Sequence, residues 1–274
     1  MTGRRRRGMF QERPSRRNTR WAVVWTDGTA RMRQSQPIVD FGWGLRGLQS
    51  LLPTSDVVVI VDVLSFSTAV DVATSRGAQV LPFPYGHSDA ESYARSRGAV
   101  LAQPRLAGGV QLSLSAETLK TVANGARIVL PSPNGSKLSR QTGGVPTLTG
   151  CLRNADAIAQ ALSSPGLSIG VIAAGERWTD GSLRPAIEDL LGAGSIIQCM
   201  SVQPSPDAEA ARAAWRALRD RIEDVIQESQ SGRELIEAGY AGDVKIATET
   251  DASGSVPLLR GDAYVNAAGE LPWA

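Results

Sequence analysis

The stretch that decides the fold reads Val57-Val58-Val59-Ile60-Val61-Asp62-Val63-Leu64-Ser65-Phe66-Ser67-Thr68-Ala69-Val70. Its first five residues are aliphatic, and an unbroken run of this kind is typical of a strand buried on both faces, as in a parallel sheet. Apolar residues at helical spacing follow. Thr68 with Asp71 three residues later resembles a capping box, so a helix is predicted to begin near Thr68. The stretch therefore predicts a strand, a loop and a helix, with Asp62 at the carboxyl end of the strand.

The predicted position of Asp62 is one at which α/β proteins bind ligands. The carboxyl ends of the strands in an open α/β sheet form the ligand crevice, and a helix N-terminus at that point favours anions. We therefore expect Asp62 to lie in a site for an anion or for the metal ion that accompanies one. The alternative interpretation is that Asp62 only caps the turn between the strand and the helix.

The rest of the chain alternates predicted strands with predicted helices. Further strands are predicted at residues 38–41, 78–83, 99–102, 127–130, 145–151 and 167–173. Helices are predicted at residues 42–52, 88–97, from Ser115, 157–162, from Pro185, 205–229 and from Ser231. Residues 243–247 alternate like a half-exposed strand, and the tail after Val256 is expected to be irregular. This order predicts a layered α/β/α fold with a mostly parallel or mixed sheet.

Length and composition suit one large α/β domain or two small ones. The 274 residues are 42% hydrophobic, which is sufficient for a substantial core. No apolar run is long enough to span a bilayer and no signal peptide is visible, so a cytoplasmic protein without a membrane partner is expected. The two cysteines, Cys151 and Cys199, argue against a disulfide framework and against a zinc cluster.

The basic residues are concentrated at the N-terminus. Eight of the 29 lysines and arginines lie in residues 1–20, which leaves 21 basic against 26 acidic residues in the rest of the chain. Residues 1–34 are predicted to form a basic, flexible arm, in which residues 21–25 resemble a strand interrupted by Gly28 and the polar run after it. The arm is interpreted as a dispensable extension, an upstream start codon or a nucleic-acid contact. The acidic charge of the remaining domain, residues 35–268 with one or two subdomains, argues against nucleic acid.

Polar side chains follow several of the predicted strands. They are Asp62 with Ser65, Ser67 and Thr68; Arg105; Asn134, Gly135 and Ser136; Arg153 and Asn154; Glu176 and Arg177; and Glu188 with Asp189. Hydroxyl groups and backbone N–H groups at helix N-termini suit a phosphate, and arginines offer bidentate contacts to anions. Carboxylates at the same edge suit Mg²⁺. The set therefore predicts a small anionic ligand together with a divalent metal.

Other catalytic schemes fit the sequence less well. The single histidine, His87, lies in a turn-like segment, which argues against a Ser-His-Asp triad. The chain has no Walker A loop, and no G-x-G-x-x-G motif follows a strand. Cys151 lacks a nearby base and is interpreted as a small buried residue.

Five segments resemble, in the same order, the motifs of the 2-phosphosulfolactate phosphatase (ComB-like) family. They are Val59-Ile60-Val61-Asp62-Val63-Leu64-Ser65-Phe66-Ser67-Thr68; Gln103-Pro104-Arg105 with Leu112-Ser113-Leu114-Ser115; Ser132-Pro133-Asn134-Gly135-Ser136; Gly150-Cys151-Leu152-Arg153-Asn154-Ala155; and Ala173-Ala174-Gly175-Glu176 with Glu188-Asp189-Leu190-Leu191-Gly192-Ala193-Gly194. The similarity covers residues 37–265. It implies an α/β fold and Mg²⁺-dependent hydrolysis of a phosphate monoester, which yields 3-sulfolactate and phosphate in the coenzyme M pathway.

Two positions depart from the family pattern. The family has an arginine where this chain has Ser65, and a glutamate where it has Pro104. A hydroxyl does not replace the bidentate contact of a guanidinium. Arg153 and Arg177 are candidates to compensate from neighbouring loops. The alternative is a ligand that carries less negative charge.

The resemblance assigns roles to these residues. Asp62 and Glu176 are the catalytic candidates, and Asp62, Glu188 and Asp189 are the Mg²⁺ candidates. The substrate-binding candidates are Ser65, Ser67, Thr68, Arg105, Asn134, Gly135, Ser136, Arg153, Asn154 and Arg177. We expect a small anionic phosphorylated substrate, and a homo-oligomer is compatible with the sequence. The alternative is a non-catalytic α/β protein that binds an anionic metabolite. Both hypotheses require that the loops meet at one edge of the sheet around Asp62.

Overall fold

A computed structural model describes residues 20–26, 29–35, 38–105, 111–271 and 273. The chain divides into two units, residues 1–36 and 37–274. In the first unit, the strand expected at residues 21–25 is confirmed as β1 (Arg20–Thr26), which pairs antiparallel with β2 (Thr29–Ser35). The expectation that the polar run after Gly28 interrupts the structure is wrong, because this run forms β2. Of the arm predicted at residues 1–34, residues 1–19 lie outside the described residues.

The second unit contains all the other described strands and helices. The strands are β3 (Ile38–Trp43), β4 (Val57–Val61), β5 (Gln79–Pro84), β6 (Val100–Leu101), β7 (Arg127–Ser132), β8 (Thr147–Gly150), β9 (Ile169–Ala173), β10 (Glu176–Arg177), β11 (Leu183–Arg184), β12 (Gln203–Pro204), β13 (Pro257–Arg260) and β14 (Ala263–Asn266). The helices are α1 (Gly44–Leu51), α2 (Phe66–Ser75), α3 (Ala90–Ser96), α4 (Ala116–Leu119), α5 (Gly135–Ser139), α6 (Ala155–Ala161), α7 (Ile187–Cys199), α8 (Pro206–Leu218), α9 (Ile222–Glu228), α10 (Gln230–Glu237) and α11 (Ala241–Ala247). No described helix is long and apolar enough to cross a membrane.

A ten-stranded sheet in the described residues of this unit has the order β12-β3-β9-β4-β8-β13-β14-β5-β7-β6. The strands from β12 to β8 are mutually parallel, and so are β5, β7 and β6. The β13–β14 hairpin joins the two groups through antiparallel pairings on both sides, so the two groups run in opposite directions. The prediction of an α/β fold with a mixed sheet is confirmed.

The strand β4 lies in the middle of the core, as its aliphatic run predicts. Successive side chains of a strand point to opposite faces. Val57, Val59 and Val61 pack with residues of α6, α7 and α8, whereas Val58 and Ile60 pack with residues of α1 and α5. All five side chains are fully buried. Because each burial contributes about 1.5–3 kcal/mol, this strand fixes the position of Asp62 at its end.

The helix after β4 begins at Phe66, earlier than the predicted start at Thr68. The capping-box prediction is wrong, because the Thr68 hydroxyl donates to the carbonyl of Val63 (2.8 Å). Asp71 accepts instead from Arg153 Nε (2.9 Å) and the Ser253 hydroxyl (2.6 Å). The earlier start places the first N–H groups of α2 directly beside the end of β4.

Three predictions for the C-terminal part are wrong. Residues 243–247 form the end of α11, because the buried Val244 and Ala247 also share one face of a helix at a spacing of three. The tail after Val256 forms the β13–β14 hairpin, whose turn has Gly261 at a positive φ of 64°. The predicted helix at 205–229 is interrupted by a 3₁₀ turn at Arg219–Arg221.

We expect Gly194→Ala to destabilise the fold through the contact between α7 and α8. A Cβ atom at position 194 would lie 2.2 Å from the carbonyl oxygen of Ala211, a backbone atom that cannot rotate away. Overpacking of this kind costs about 1–3 kcal/mol, and urea unfolding measures the loss. Gly254→Ala is the control, because a Cβ at Gly254 meets no atom within 4 Å. Equal unfolding free energies for the two variants would contradict this packing.

Candidate active site

The carboxylate of Asp62 lies between the first residues of two helices. Its Oδ1 accepts from the backbone N–H of Phe66 (3.2 Å), at the start of α2. Its Oδ2 accepts from the N–H of Gly135 (2.7 Å), at the start of α5. The side chain is only 4% exposed. Asp62 therefore joins two loops that are 73 residues apart in the chain, and it is more than a local turn cap.

The glycine at position 135 is required by this contact. A Cβ atom there would lie 2.2 Å from Phe66 Cδ1 and 2.8 Å from Asp62 Oδ2. The neighbouring Asn134 donates from Nδ2 to Glu176 Oε2 (2.9 Å). Its buried Oδ1 has no hydrogen-bond partner among the described residues. The segment Asn134–Gly135 thus connects the carboxylates of Asp62 and Glu176.

Four carboxylates are crowded around this point. Burial raises the pKa of Asp62 to about 6, against the lowering effect of the Gly135 and Phe66 N–H groups. Burial and then the charge of Asp62 raise the pKa of Glu176 to about 7. Burial also raises the pKa of Glu188 and of Asp189. Such unbalanced negative charge is typical of a functional site.

Asp189 holds the backbone of two strand-end loops. Its Oδ1 accepts from the N–H of Val63 (2.7 Å), and its Oδ2 accepts from the N–H of Gly175 (2.8 Å). Val63 follows β4 and Gly175 follows β9, so this buried carboxylate fixes the spacing between Asp62 and Glu176. Asp189 is one of the predicted Mg²⁺ ligands, but both of its carboxylate oxygens accept hydrogen bonds from backbone N–H groups of the fold.

Arg105 reaches the same place from the loop after β6. Its Nη2 donates to the Ser65 hydroxyl, to the carbonyl of Leu114 (3.2 Å) and to Asp243 Oδ2 (3.1 Å). Arg105, and not Arg153, therefore places a guanidinium beside Ser65, the residue that stands where the family pattern has an arginine.

A cleft of about 200 Å³ opens over these groups. Its polar lining includes Asp62, Ser65, Arg105, Asn134, Glu176 and Ser231, and its apolar lining includes Leu64, Leu114 and Leu235. Small volume combined with convergent polar groups is typical of a site for a small ligand.

Seven predicted substrate-binding residues are absent from the cleft lining. One of them is Gly135, whose N–H donates to Asp62. Ser67 bonds with the Thr149 hydroxyl (2.7 Å), and Thr68 and Ser136 donate to backbone carbonyls. Arg153 pairs with Asp71 and Glu249, and Asn154 donates to the carbonyl of Ser255 (3.1 Å). Arg177 is exposed and donates to the carbonyl of Gly181. Their polar atoms are used in local structure.

The sequence interpretation missed the contribution of α10 and α11. Ser231, Glu234 and Leu235 of α10 line the cleft. The helix predicted from Ser231 begins at Gln230, because Ser229 caps α10 by accepting from the Gly232 N–H (2.9 Å). A helix-start motif carries no functional signature, and nothing in the sequence of these helices indicated their place at the site.

The two catalytic schemes excluded from the sequence find no support in the structure. Cys151 is buried, and burial raises the pKa of its thiol to about 12. His87 is an exposed residue beside Asp89. Neither residue lines the cleft.

The carboxylates at the cleft decide how well this site suits Mg²⁺. Across the part of the chain that the structure describes, no group of three or more His, Cys, Asp or Glu side chains forms a ready ligand set. Mg²⁺ is commonly held by one or two carboxylates, with water and substrate oxygens completing the shell. Asp62 and Glu176 line the cleft, and the charge of Asp62 raises the pKa of Glu176. This pair therefore fits Mg²⁺, although a complete protein-made site does not exist among the described residues.

Comparisons with known proteins match most of the chain. A family model described as 2-phosphosulpholactate phosphatase matches residues 48–262. A 2-phosphosulfolactate phosphatase of Methanothermobacter thermautotrophicus is 32% identical over 211 residues, which cover 75% of this chain and 88% of the relative. A probable 2-phosphosulfolactate phosphatase of Pseudothermotoga lettingae is 25% identical over 77% of this chain and 93% of the relative. One of Carboxydothermus hydrogenoformans is 28% identical over 73% of this chain and 84% of the relative.

We expect Glu176→Gln to stabilise the protein at alkaline pH. Since the pKa of Glu176 is raised from 4.5 to about 7, its contribution to stability is complete below pH 4.5 and is lost as the pH rises through about 7. Glutamine is uncharged and keeps an oxygen for Asn134 Nδ2. The variant should match the wild type below pH 4.5 and exceed it by about 1–3 kcal/mol at pH 8. Urea unfolding with EDTA present measures both values.

The control for this prediction is Glu237→Gln, which removes an exposed carboxylate from α10. Its effect should be small and the same at both pH values. A difference between Glu176→Gln and the wild type that does not change with pH would contradict the crowding of charge at the site.

Proposed function

Since the chain belongs to the 2-phosphosulpholactate phosphatase family, we propose that it hydrolyses 2-phosphosulfolactate to 3-sulfolactate and phosphate, with Mg²⁺ as cofactor. The observation that carries this proposal is the position of Asp62. This carboxylate is held by the N–H groups of Phe66 and Gly135 at the base of a small cleft, beside Glu176. Phosphoryl transfer depends mainly on positioning and on stabilisation of charge, which such an arrangement supplies.

The charge of the cleft supports the need for a cation. Asp62 and Glu176 face the cleft, and the positive charge of Arg105 is already paired with Asp243. A phosphorylated sulfonate would therefore meet net negative charge. A bound Mg²⁺ would neutralise charge on the phosphoryl oxygens and act as a Lewis acid. Asp62 would hold it, and Glu176 and Glu188 are close enough to share its charge.

Glu176 is suited to move a proton near neutral pH. Its pKa of about 7 lets the carboxyl group exist in both protonation states under the conditions of the reaction. Protonated Glu176 can donate to the leaving alkoxide of the monoester, and ionised Glu176 can accept a proton from the attacking water. The hydrogen bond from Asn134 Nδ2 fixes the orientation of the group for either step.

The substrate would be held by neutral and cationic donors. Arg105 and the Ser65 hydroxyl line one side of the cleft, and Asn134 lines another. The cleft volume of about 200 Å³ suits a substrate with a backbone of a few carbon atoms.

The experiment that tests this function is phosphate release from 2-phosphosulfolactate, with Mg²⁺ and with EDTA. We expect release by the wild type only with Mg²⁺. Asp62→Asn should lower kcat at least about 10³-fold, because it removes a preorganised charge and faces one backbone N–H with a second donor. The far-UV spectrum should show an intact fold.

Asp71→Asn is the control for Asp62→Asn, because Asp71 is equally buried and lies outside the cleft lining. It should retain turnover at temperatures at which it is folded. Unchanged turnover in Asp62→Asn would remove this residue from the mechanism. Thermal stabilisation of the wild type by 2-phosphosulfolactate without phosphate release would overturn the enzymatic proposal in favour of a binding protein.

A further inference from the structure

We propose that Tyr240 and Asp243 are positioning residues, which hold the guanidinium of Arg105 at the cleft so that it contacts the phosphoryl group of the substrate. The inference rests on the proposed function, and it adds the N-terminal turn of α11 to the binding machinery. The sequence motifs that indicate the site end before this helix begins.

Asp243 is a buried residue whose two carboxylate oxygens accept hydrogen bonds from different parts of the chain. Its Oδ1 accepts from the Ser115 hydroxyl (2.6 Å) and from the backbone N–H of Glu117 (3.1 Å), both at the start of α4. Its Oδ2 accepts from Arg105 Nη2 (3.1 Å). Asp243 is 2% exposed, so α4 fixes the carboxylate, and the carboxylate in turn fixes the arginine.

Tyr240 supports the same guanidinium from the face. The Cζ atom of Arg105 lies 5.2 Å from the centroid of the Tyr240 ring, within the range of a cation–π contact. The backbone N–H of Asp243 donates to the carbonyl of Tyr240 (3.0 Å). One helical turn therefore presents a carboxylate to the edge of the guanidinium and an aromatic ring to its face.

Arg105 itself remains partly available to the cleft. Its side chain is 18% exposed and lines the cleft next to Ser65. Its Nε is buried and has no hydrogen-bond partner among the described residues. An arginine already fixed in one rotamer loses less conformational freedom when it binds an anion. The arrangement is therefore that of a preorganised anion-binding group.

The buried ion pair between Asp71 and Arg153 serves as a comparison, because its role is purely structural. Asp71 is fully buried and accepts from Arg153 Nε (2.9 Å), and Arg153 also pairs with Glu249. Neither Asp71 nor Arg153 lines the cleft. This pair therefore resembles the Arg105–Asp243 pair in burial and chemistry but lies apart from the site, which makes Asp71→Asn a matched control.

The test compares Asp243→Asn, Tyr240→Leu and Tyr240→Phe with the wild type. The measurements are KM and kcat for 2-phosphosulfolactate and, by calorimetry with Mg²⁺ present, the Kd of inorganic phosphate. Asp243→Asn should raise KM and the phosphate Kd together by about 10- to 100-fold, the effect of losing one charge-assisted contact, with kcat changed less than about threefold. Tyr240→Leu should act in the same direction, and Tyr240→Phe, which keeps the ring, should match the wild type.

A double-mutant cycle separates positioning from stability. In an Arg105→Ala background, Asp243→Asn should change neither KM nor the phosphate Kd further, because the group that it positions is gone. Asp71→Asn should lower the melting temperature and leave KM and Kd unchanged.

The inference is overturned if Asp243→Asn lowers the melting temperature while KM and the phosphate Kd stay at wild-type values. It is equally overturned if the effects of Asp243→Asn and Arg105→Ala on Kd are additive, or if the wild type does not bind phosphate. A wild type that binds phosphate but does not hydrolyse 2-phosphosulfolactate overturns the proposed function alone, and the phosphate Kd values of the variants then decide the inference.

Discussion

The hydrogen bonds from Phe66 and Gly135 to the Asp62 carboxylate are the contacts on which the site depends. They join the end of β4 to the loop after β7, although these strands belong to groups that run in opposite directions. Helix α5, which follows β7, packs its Leu138 against Val58 and Ile60 of β4. This packing brings Gly135, at the start of α5, to the end of β4 although the strands run in opposite directions.

The same contacts hold Asp62 in a position where its ionised form lowers the stability of the folded state. Asp62 and Glu176 are buried close together, and burial is the main reason that the pKa of each is raised. Without a counter-ion, the ionised pair destabilises the folded state. The N–H groups of Gly135 and Phe66 and the amide of Asn134 offset only part of this effect. A protein that retains such a pair at the base of a cleft retains it for a purpose other than stability.

Much of the fold could be predicted from local pattern, because the signal of β4 is local. Five aliphatic residues before Asp62 specify a strand buried on both faces. The loops with Asn134 and Glu176 also follow strands with a buried apolar core, Ile128–Leu130 in β7 and Ile169–Ala173 in β9. The reversal of β5, β6 and β7 could not be predicted, because it is set by the late β13–β14 hairpin. The role of α11 could not be predicted for a similar reason, because all three hydrogen-bond partners of the Asp243 carboxylate lie 126 to 138 residues away in the chain.

The departure from the family pattern at Ser65 acquires a physical explanation in this fold. A guanidinium is still present beside Ser65, because Arg105 reaches that hydroxyl from the loop after β6. Arg153, which also seemed able to compensate, is held by Asp71 and Glu249 and is not free to move to the cleft. An anion site depends on where the charge is placed and not on which segment supplies it. Arg105 belongs to a segment that itself resembles the family pattern, so the guanidinium beside Ser65 comes from an arginine that the pattern already contains, and Asp243 anchors it there.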